Sequence, residues 1–191
     1  MTKKLNIFTV VLFLITFSSL SFADKGWRIL AGMEEDFVHE TTASIIAGAL
    51  GPKDNGTGDA GLAYGVELSF NCPLLQPPTN KIRQQVSFLQ YSDGDSTIQS
   101  VQINPHYVVE VAPKLWLGGG PGFGYVRADV AKKTANLVAA QVGASAGYSI
   151  DKIFIGAEAR YQLTQNSHVG SGKDNGAHNW QTIVKVGYNF Y

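Results

Sequence analysis

The sequence predicts an all-β protein, an eight-stranded antiparallel up-and-down transmembrane β-barrel, and three observations carry that reading. Segment after segment from Leu62 onward alternates apolar and polar residues with the period of two that belongs to an extended strand. Beyond an N-terminal leader the chain has no apolar run of about 18 residues, so no helix is expected to cross a bilayer, and a closed barrel is then the remaining way to satisfy the backbone in lipid. The third observation is the stretch Trp180 to Tyr191, with Trp180, Thr182, Val184, Val186, Tyr188 and Phe190 on one face and Gln181, Lys185, Gly187 and Asn189 on the other. It reads as a closing strand with a greasy, aromatic face toward lipid and a polar face toward an interior.

The leader is separable from that domain. Lys3 and Lys4 precede an apolar run from Leu5 to Phe17 and a stretch of mostly small residues ending at Ala23, the pattern of a cleaved signal peptide. Residues 1–23 are expected to be removed and residues 24–191 to form one barrel domain. Taking Lys3 and Lys4 from 15 basic residues leaves 13 against 15 acidic ones, a net charge of −2. That balance argues against a nucleic-acid partner, which calls for a basic face. Cys72 is the single cysteine, so neither an internal disulfide nor a Cys-based metal cage can form.

In chain order, Trp27 to Asp36 alternates weakly and is expected to be the first strand. Residues 37–59 read as a long connection whose apolar patch, Ile45 to Leu50, is the upper part of a strand, a short helix or a loop plug. The second strand puts Leu62, Tyr64, Val66, Leu68 and Phe70 outward, and a Pro-rich connection runs from Cys72 to Asn80. The third turns Ile82, Val86 and Phe88 outward and Arg83, Gln85 and Ser87 inward, ending at the turn signal Asp93-Gly94-Asp95. The fourth carries Val101, Ile103, Pro105, Tyr107, Val109 and Val111 outside and turns at Pro113. The fifth sets Leu115, Leu117, Phe123 and Tyr125 against inward Gly118, Gly120, Gly122 and Gly124. The sixth runs from Val138 to Tyr148, a tight turn falls at Asp151-Lys152, and the seventh runs from Ile153 to Leu163. A Gly- and Asn-rich loop over 166–179 leads to the eighth. An even count puts both ends on one side, the periplasm, with the longer loops outside.

The inward positions define a polar network of Glu67, Arg83, Gln102, Asn104, His106, Glu110, Gln141, Glu158, Arg160 and Lys185. Three acids meet three bases, and charges in a narrow lumen are costly unless paired, so a salt-bridged and filled interior is expected rather than an open pore. A hairpin pivoting on Pro113 places His106 opposite Gly120, Asn104 opposite Gly122, Gln102 opposite Gly124 and Glu110 opposite Trp116. A turn at Asp151-Lys152 places Ser145 by Glu158 and Gly143 by Arg160. Small beside large is how a thin barrel houses long polar side chains, which accounts for the Gly-rich fifth strand without a ligand. The same register faces Pro105 with Pro121, where a bulge or kink is expected. Outward Trp180, Tyr161 and Tyr125 form one aromatic girdle, Tyr188 and Phe190 the other.

Other chemistry fits poorly. The run GGGPGFG, Gly118 to Gly124, alternates along a strand and opens no helix, so it is not a phosphate loop. Of the four histidines only His168 and His178 share a loop, without the carboxylates of a metal site. Ser167, His168 and Ser171 with Glu158 supply hydrolase residue types but no recognisable spacing. No catalytic residue, cofactor or metal is assigned.

On the motifs LGGGPGFGY (Leu117 to Tyr125), IGAEARYQL (Ile155 to Leu163) and the ending VGYNFY, the chain resembles the small outer-membrane β-barrel family of the OmpA transmembrane domain and OmpX. The resemblance implies a Gram-negative outer membrane, lipid and lipopolysaccharide surroundings and a monomer. It further implies that Tyr188, Phe190 and Tyr191 form the signal read by the barrel assembly machinery. It implies a non-enzymatic role in envelope integrity or surface interaction, with a small channel or a lipid A hydrolase as alternatives. Lipid A deacylases are similar barrels, but their His-x-Ser pair is not matched, His168 being followed by Val169 and Gly170.

Overall fold

A computed structural model describes residues 26–52, 60–94, 96–130, 133–165, 167–168, 174–175 and 178–190. The expected signal peptide, residues 1–23, lies outside them. The chain closes into a barrel of eight antiparallel strands. They are β1 (Thr41–Pro52), β2 (Gly61–Asn71), β3 (Lys81–Asp93), β4 (Ser96–Ala112), β5 (Leu115–Val130), β6 (Lys133–Ile150), β7 (Ile153–Thr164) and β8 (Asn179–Phe190). Each pairs with its neighbours in sequence, and β8 closes on β1 from Asn179 opposite Pro52 to Phe190 opposite Thr41.

Alternation sorts the side chains. In β8, Gln181, Ile183 and Lys185 are buried while Trp180, Val184 and Val186 are exposed, and β7 shows the same switch from residue to residue. The hairpin registers follow the turns: Gln102 faces Gly124 across β4 and β5, and Ser145 and Gly143 face Glu158 and Arg160 across β6 and β7. Lys114 and Asp151, at the two inner turns, adopt positive φ of 65° and 51°.

The first strand is a correction. It is Thr41–Pro52, not Trp27 to Asp36, because Ile46 and Leu50 point into an apolar part of the interior and erase the polar phase that alternation needs. The segment Trp27 to Asp36 lies at the inner end instead. Arg28–Ile29 pairs with Leu75–Gln76, and Ala31–Met33 forms one 3-10 turn. Leu30 N–H donates to Leu74 O at 2.7 Å and Gly32 N–H to Pro73 O at 2.8 Å, so the long connection after β2 holds the N-terminal segment.

The prolines interrupt the ladder at their level but introduce no register shift there. The β4–β5 ladder has no pair between Ile103 opposite Phe123 and Tyr107 opposite Gly119, yet the register is the same on both sides. The register shift lies lower, between Glu110 and Ala112. At the proline level Gly120 lets the strands approach closely, since a Cβ there would stand 2.0 Å from the Pro105 carbonyl oxygen.

Candidate functional site: the barrel interior

Four charged side chains meet at the centre of the lumen. Glu67 comes from β2, Glu158 and Arg160 from β7 and Lys185 from β8, and each side chain is at most 3% exposed. Arg160 Nη2 donates to Glu67 Oε2 at 2.8 Å, and its Nε donates to Glu158 Oε1. Lys185 Nζ lies 2.6 Å from Glu67 Oε1 and 2.5 Å from Glu158 Oε2. Two acids are shared by two bases, which balances the charge and leaves each ion with two counterions. Arg160 also spans the lumen to Ser87 Oγ on β3 at 3.0 Å and to Gln102 Oε1 on β4 at 2.7 Å.

A chain of amides continues from Gln102. Its Nε2 donates to Gln181 Oε1 at 3.4 Å, Gln181 to Asn179 Oδ1 at 2.9 Å, Asn179 to Gln162 Oε1 at 3.0 Å and Gln162 to Gln141 Oε1 at 3.1 Å. Gln141 in turn donates to Asn104. Each amide from Gln102 to Gln141 gives on one side and takes on the other, while Asn104 ends the chain as an acceptor with its buried Nδ2 unpartnered; such a network holds only when nearly every member is satisfied. Gly122 makes room for it, because a Cβ there would fall 1.8 Å from Asn104 Oδ1.

Toward the outer end the lumen turns apolar. Ile46, Leu50, Leu89, Tyr91, Ile98, Val126, Leu137 and Ile183 form one buried cluster. Sequence reading missed this layer, since an apolar residue on both faces of a strand carries no alternation. Adjacent apolar pairs such as Ile45-Ile46 and Phe88-Leu89 were the available signal.

His106 packs below the charges. Its Nδ1 is 2.9 Å from Ser145 Oγ and 3.3 Å from Gln85 Nε2, and its Nε2 is 3.6 Å from Glu158 Oε1. A glutamine amide nitrogen can only donate, so Nδ1 accepts and Nε2 carries the proton toward Glu158. Serine, histidine and carboxylate thus stand in sequence, but all three are buried. That arrangement locks the imidazole and gives a substrate no approach. The side chains of Ser167, His168 and Ser171 lie outside the described residues. His178 Nδ1 accepts from Thr164 N–H at 3.0 Å, and no group of three His, Cys, Asp or Glu residues that could hold a metal occurs among the described residues.

The outside of the barrel is the inverse of the lumen: Ile45, Leu62, Val66, Ile103, Leu117, Phe123, Val142 and Val184 are all exposed on the strands. No family model matches the sequence, and no curated protein matches it. Solved structures do. Ail, the attachment invasion locus protein of Yersinia pestis, superposes with a TM-score of 0.52 at 14% identity, covering 81% of this chain and 100% of Ail. Neisserial surface protein A superposes with a TM-score of 0.51 at 13% identity, covering 87% of this chain and 100% of that one.

The fold is that of the small outer-membrane β-barrels.

An exposed apolar band covers the outside of this barrel, and depth along the strands explains two corrections. Glu110 does not join the central network: it has the inward phase but sits exposed at the inner mouth, accepting from Lys114 N–H at 3.0 Å. Arg83 is also separate from the central charges. It lies at the inner mouth, where its Nη2 donates to Thr42 Oγ1 at 3.1 Å and Ser69 Oγ at 3.0 Å and its Nη1 is 3.7 Å from Glu40 Oε2. Lys81 Nζ joins Glu40 at 2.6 Å. Glu40 fell in the unassigned connection, so this rim cluster could not be foreseen. Below it opens a cavity of about 680 Å³ lined by Glu40, Lys81, Arg83, Glu110, Val108 and Trp116.

The aromatic residues occupy both rims of this outer-membrane barrel fold. Trp180 pairs with Tyr161 across β8 and β7 toward the outer end. Tyr188 and Phe190 stack edge to face at 5.0 Å at the inner end, and Tyr191 lies outside the described residues.

Proposed function

We propose that this chain is a non-enzymatic integral protein of a Gram-negative outer membrane, a monomeric barrel with a filled, charge-neutral interior that serves envelope integrity or presents its outer loops for surface interaction. One observation carries the reading: Arg160 bonds across the lumen to three other strands while Lys185 ties β8 to β2, so the centre is occupied by paired side chains. Eight strands enclose little more than that. In this reading the exposed band meets lipid and, on the outer side, lipopolysaccharide. Tyr188, Phe190 and Tyr191 serve as the terminus read by the barrel assembly machinery.

Two measurements test it. In purified outer membranes the folded chain should migrate differently on gels before and after boiling; identical migration removes the barrel from the membrane. In planar bilayers it should give no sustained conductance. Steady single-channel currents would replace this reading with that of a small channel, and a changed lipid A profile in cells lacking the protein would replace it with that of a hydrolase.

A further inference from the structure

We infer that the inner-end clasp, built from residues 26–36 and the connection 72–80, is an interfacial anchor that lies in the headgroup zone of the inner leaflet and inserts its apolar face there. This rests on the reading that the barrel spans a membrane.

The clasp is well tied but greasy outside. Its two-residue ladder turns Gln76 toward the barrel, where Nε2 donates to Cys72 O and Ile82 O, both at 2.9 Å, and Oε1 accepts from Ile82 N–H. Exposed on the clasp are Trp27, Ile29, Leu30, Met33 and Leu74, with Met33 83% and Ile29 66% exposed. A periplasmic surface gains nothing from such a cluster, and a set of this kind on a small rigid element marks an interaction face.

Position chooses the occupant. Tyr107 is an outward, lipid-facing residue of β4, and its hydroxyl accepts from Asn80 Nδ2 at 2.9 Å and reaches Thr79 O at 3.5 Å. Thr79 and Asn80, the end of the connection, therefore reach the lipid side of the rim. Leu74 follows the last residue of β2 by three positions, a reach of about 11 Å at most, and Leu30 is bonded to Leu74. The patch is thus continuous with the lipid-facing band. A tryptophan with unbranched and branched aliphatics suits the interface, where apolar groups sink about 5–10 Å among the headgroups. The adjoining charges are Glu34, Glu35 and Asp36, with Arg28 paired to Glu34 and Asp36. Among the described residues of the clasp three acids stand against one base, which does not favour anionic lipid, so the binding is apolar and insensitive to salt.

The test uses the mature chain folded into phosphatidylcholine vesicles and a Trp27→Phe variant, the Trp27 signal being the difference between the two. Lipids brominated near the glycerol end should quench that signal more strongly than lipids brominated near the chain ends, and acrylamide should quench it less than in the denatured chain. The pattern should persist at high salt. Quenching by acrylamide without quenching by bromolipid would leave the clasp in water or available to a periplasmic partner. Protection from both quenchers would put it against another protein or a second copy, and either result overturns the anchor. Trp180, on the lipid-facing side of β8, is the internal control: if bromolipid fails to quench it as well, the membrane-spanning reading has failed rather than the anchor alone.

Discussion

The molecule holds two groups of ion pairs that use the same residue types at different depths. At the centre, Glu67, Glu158, Arg160 and Lys185 are no more than 3% exposed. At the inner mouth, Glu40, Lys81 and Arg83 have side chains 31%, 48% and 14% exposed. Water can replace a lost partner at the mouth and cannot at the centre. The difference teaches that the central group is a single interdependent unit, while the rim pairs are separable and cheap to lose.

The largest expected effect is therefore Arg160→Met. It strips both glutamates of one counterion and leaves Gln102, Ser87 and Gln85 without their donor, so the barrel should lose about 3–5 kcal/mol in urea unfolding from lipid vesicles. Lys185→Ala should come next, toward the lower end of that range, because Arg160 still holds both acids. An unchanged unfolding curve would remove the Lys185 pairings from the account. Glu67→Gln with Lys185→Met sharpens the point, since the double variant restores neutrality and should cost less than the two single changes together. Gly120→Ala should cost about 1–3 kcal/mol by a different route, overpacking against the Pro105 carbonyl, and should be no better tolerated when the charges are varied.

Depth is also what the sequence could not reveal. Phase was legible for strands two to eight, because Leu62 to Phe70 or Ile153 to Leu163 alternate between lipid and a polar lumen. It failed for Thr41–Pro52, where the inward residues Ile46 and Leu50 join the apolar layer and the strand loses its polar phase. Trp27 to Asp36 alternates without belonging to the barrel, with Ala31 buried and Trp27, Ile29, Leu30 and Met33 exposed at the inner end. Glu110 and Arg83 were read with the right phase at the wrong level, since a period of two says which face a residue takes and not how far along the strand the membrane ends. Glu67, Glu158, Arg160 and Lys185 were found because each lies mid-strand, where phase alone decides.

The rim should yield small effects. Glu40→Gln removes the partner of Lys81 and Arg83 in partly wet surroundings, and a loss of about 0–1 kcal/mol is expected in the same urea assay. A loss as large as that of Arg160→Met would erase the contrast between centre and mouth.

The smallest expected effect lies at the opposite end, on the stretch of β5 and β6 that extends past the lipid-facing residues. A crossing strand needs about 9–11 residues, and β5 has 16, so in the proposed reading Asp129 stands outside the membrane. The Thr134 hydroxyl, paired across from it, donates to Asp129 Oδ1, and Arg127 Nε donates to Oδ2 at 3.1 Å. With the Thr134 bond as the main cause, the Asp129 carboxyl is held below the usual carboxylate range. Its folded value is thus lower than its unfolded one, so its contribution is complete above the usual range and fades as the pH drops through the depressed value. Thr134→Val should raise the Asp129 midpoint, read by carboxyl NMR in the folded barrel, and leave unfolding at neutral pH almost unchanged. An unmoved midpoint would mean that Arg127 alone sets this carboxylate, and that even the wet outer strands hold their charges by ion pairing rather than by neutral donors.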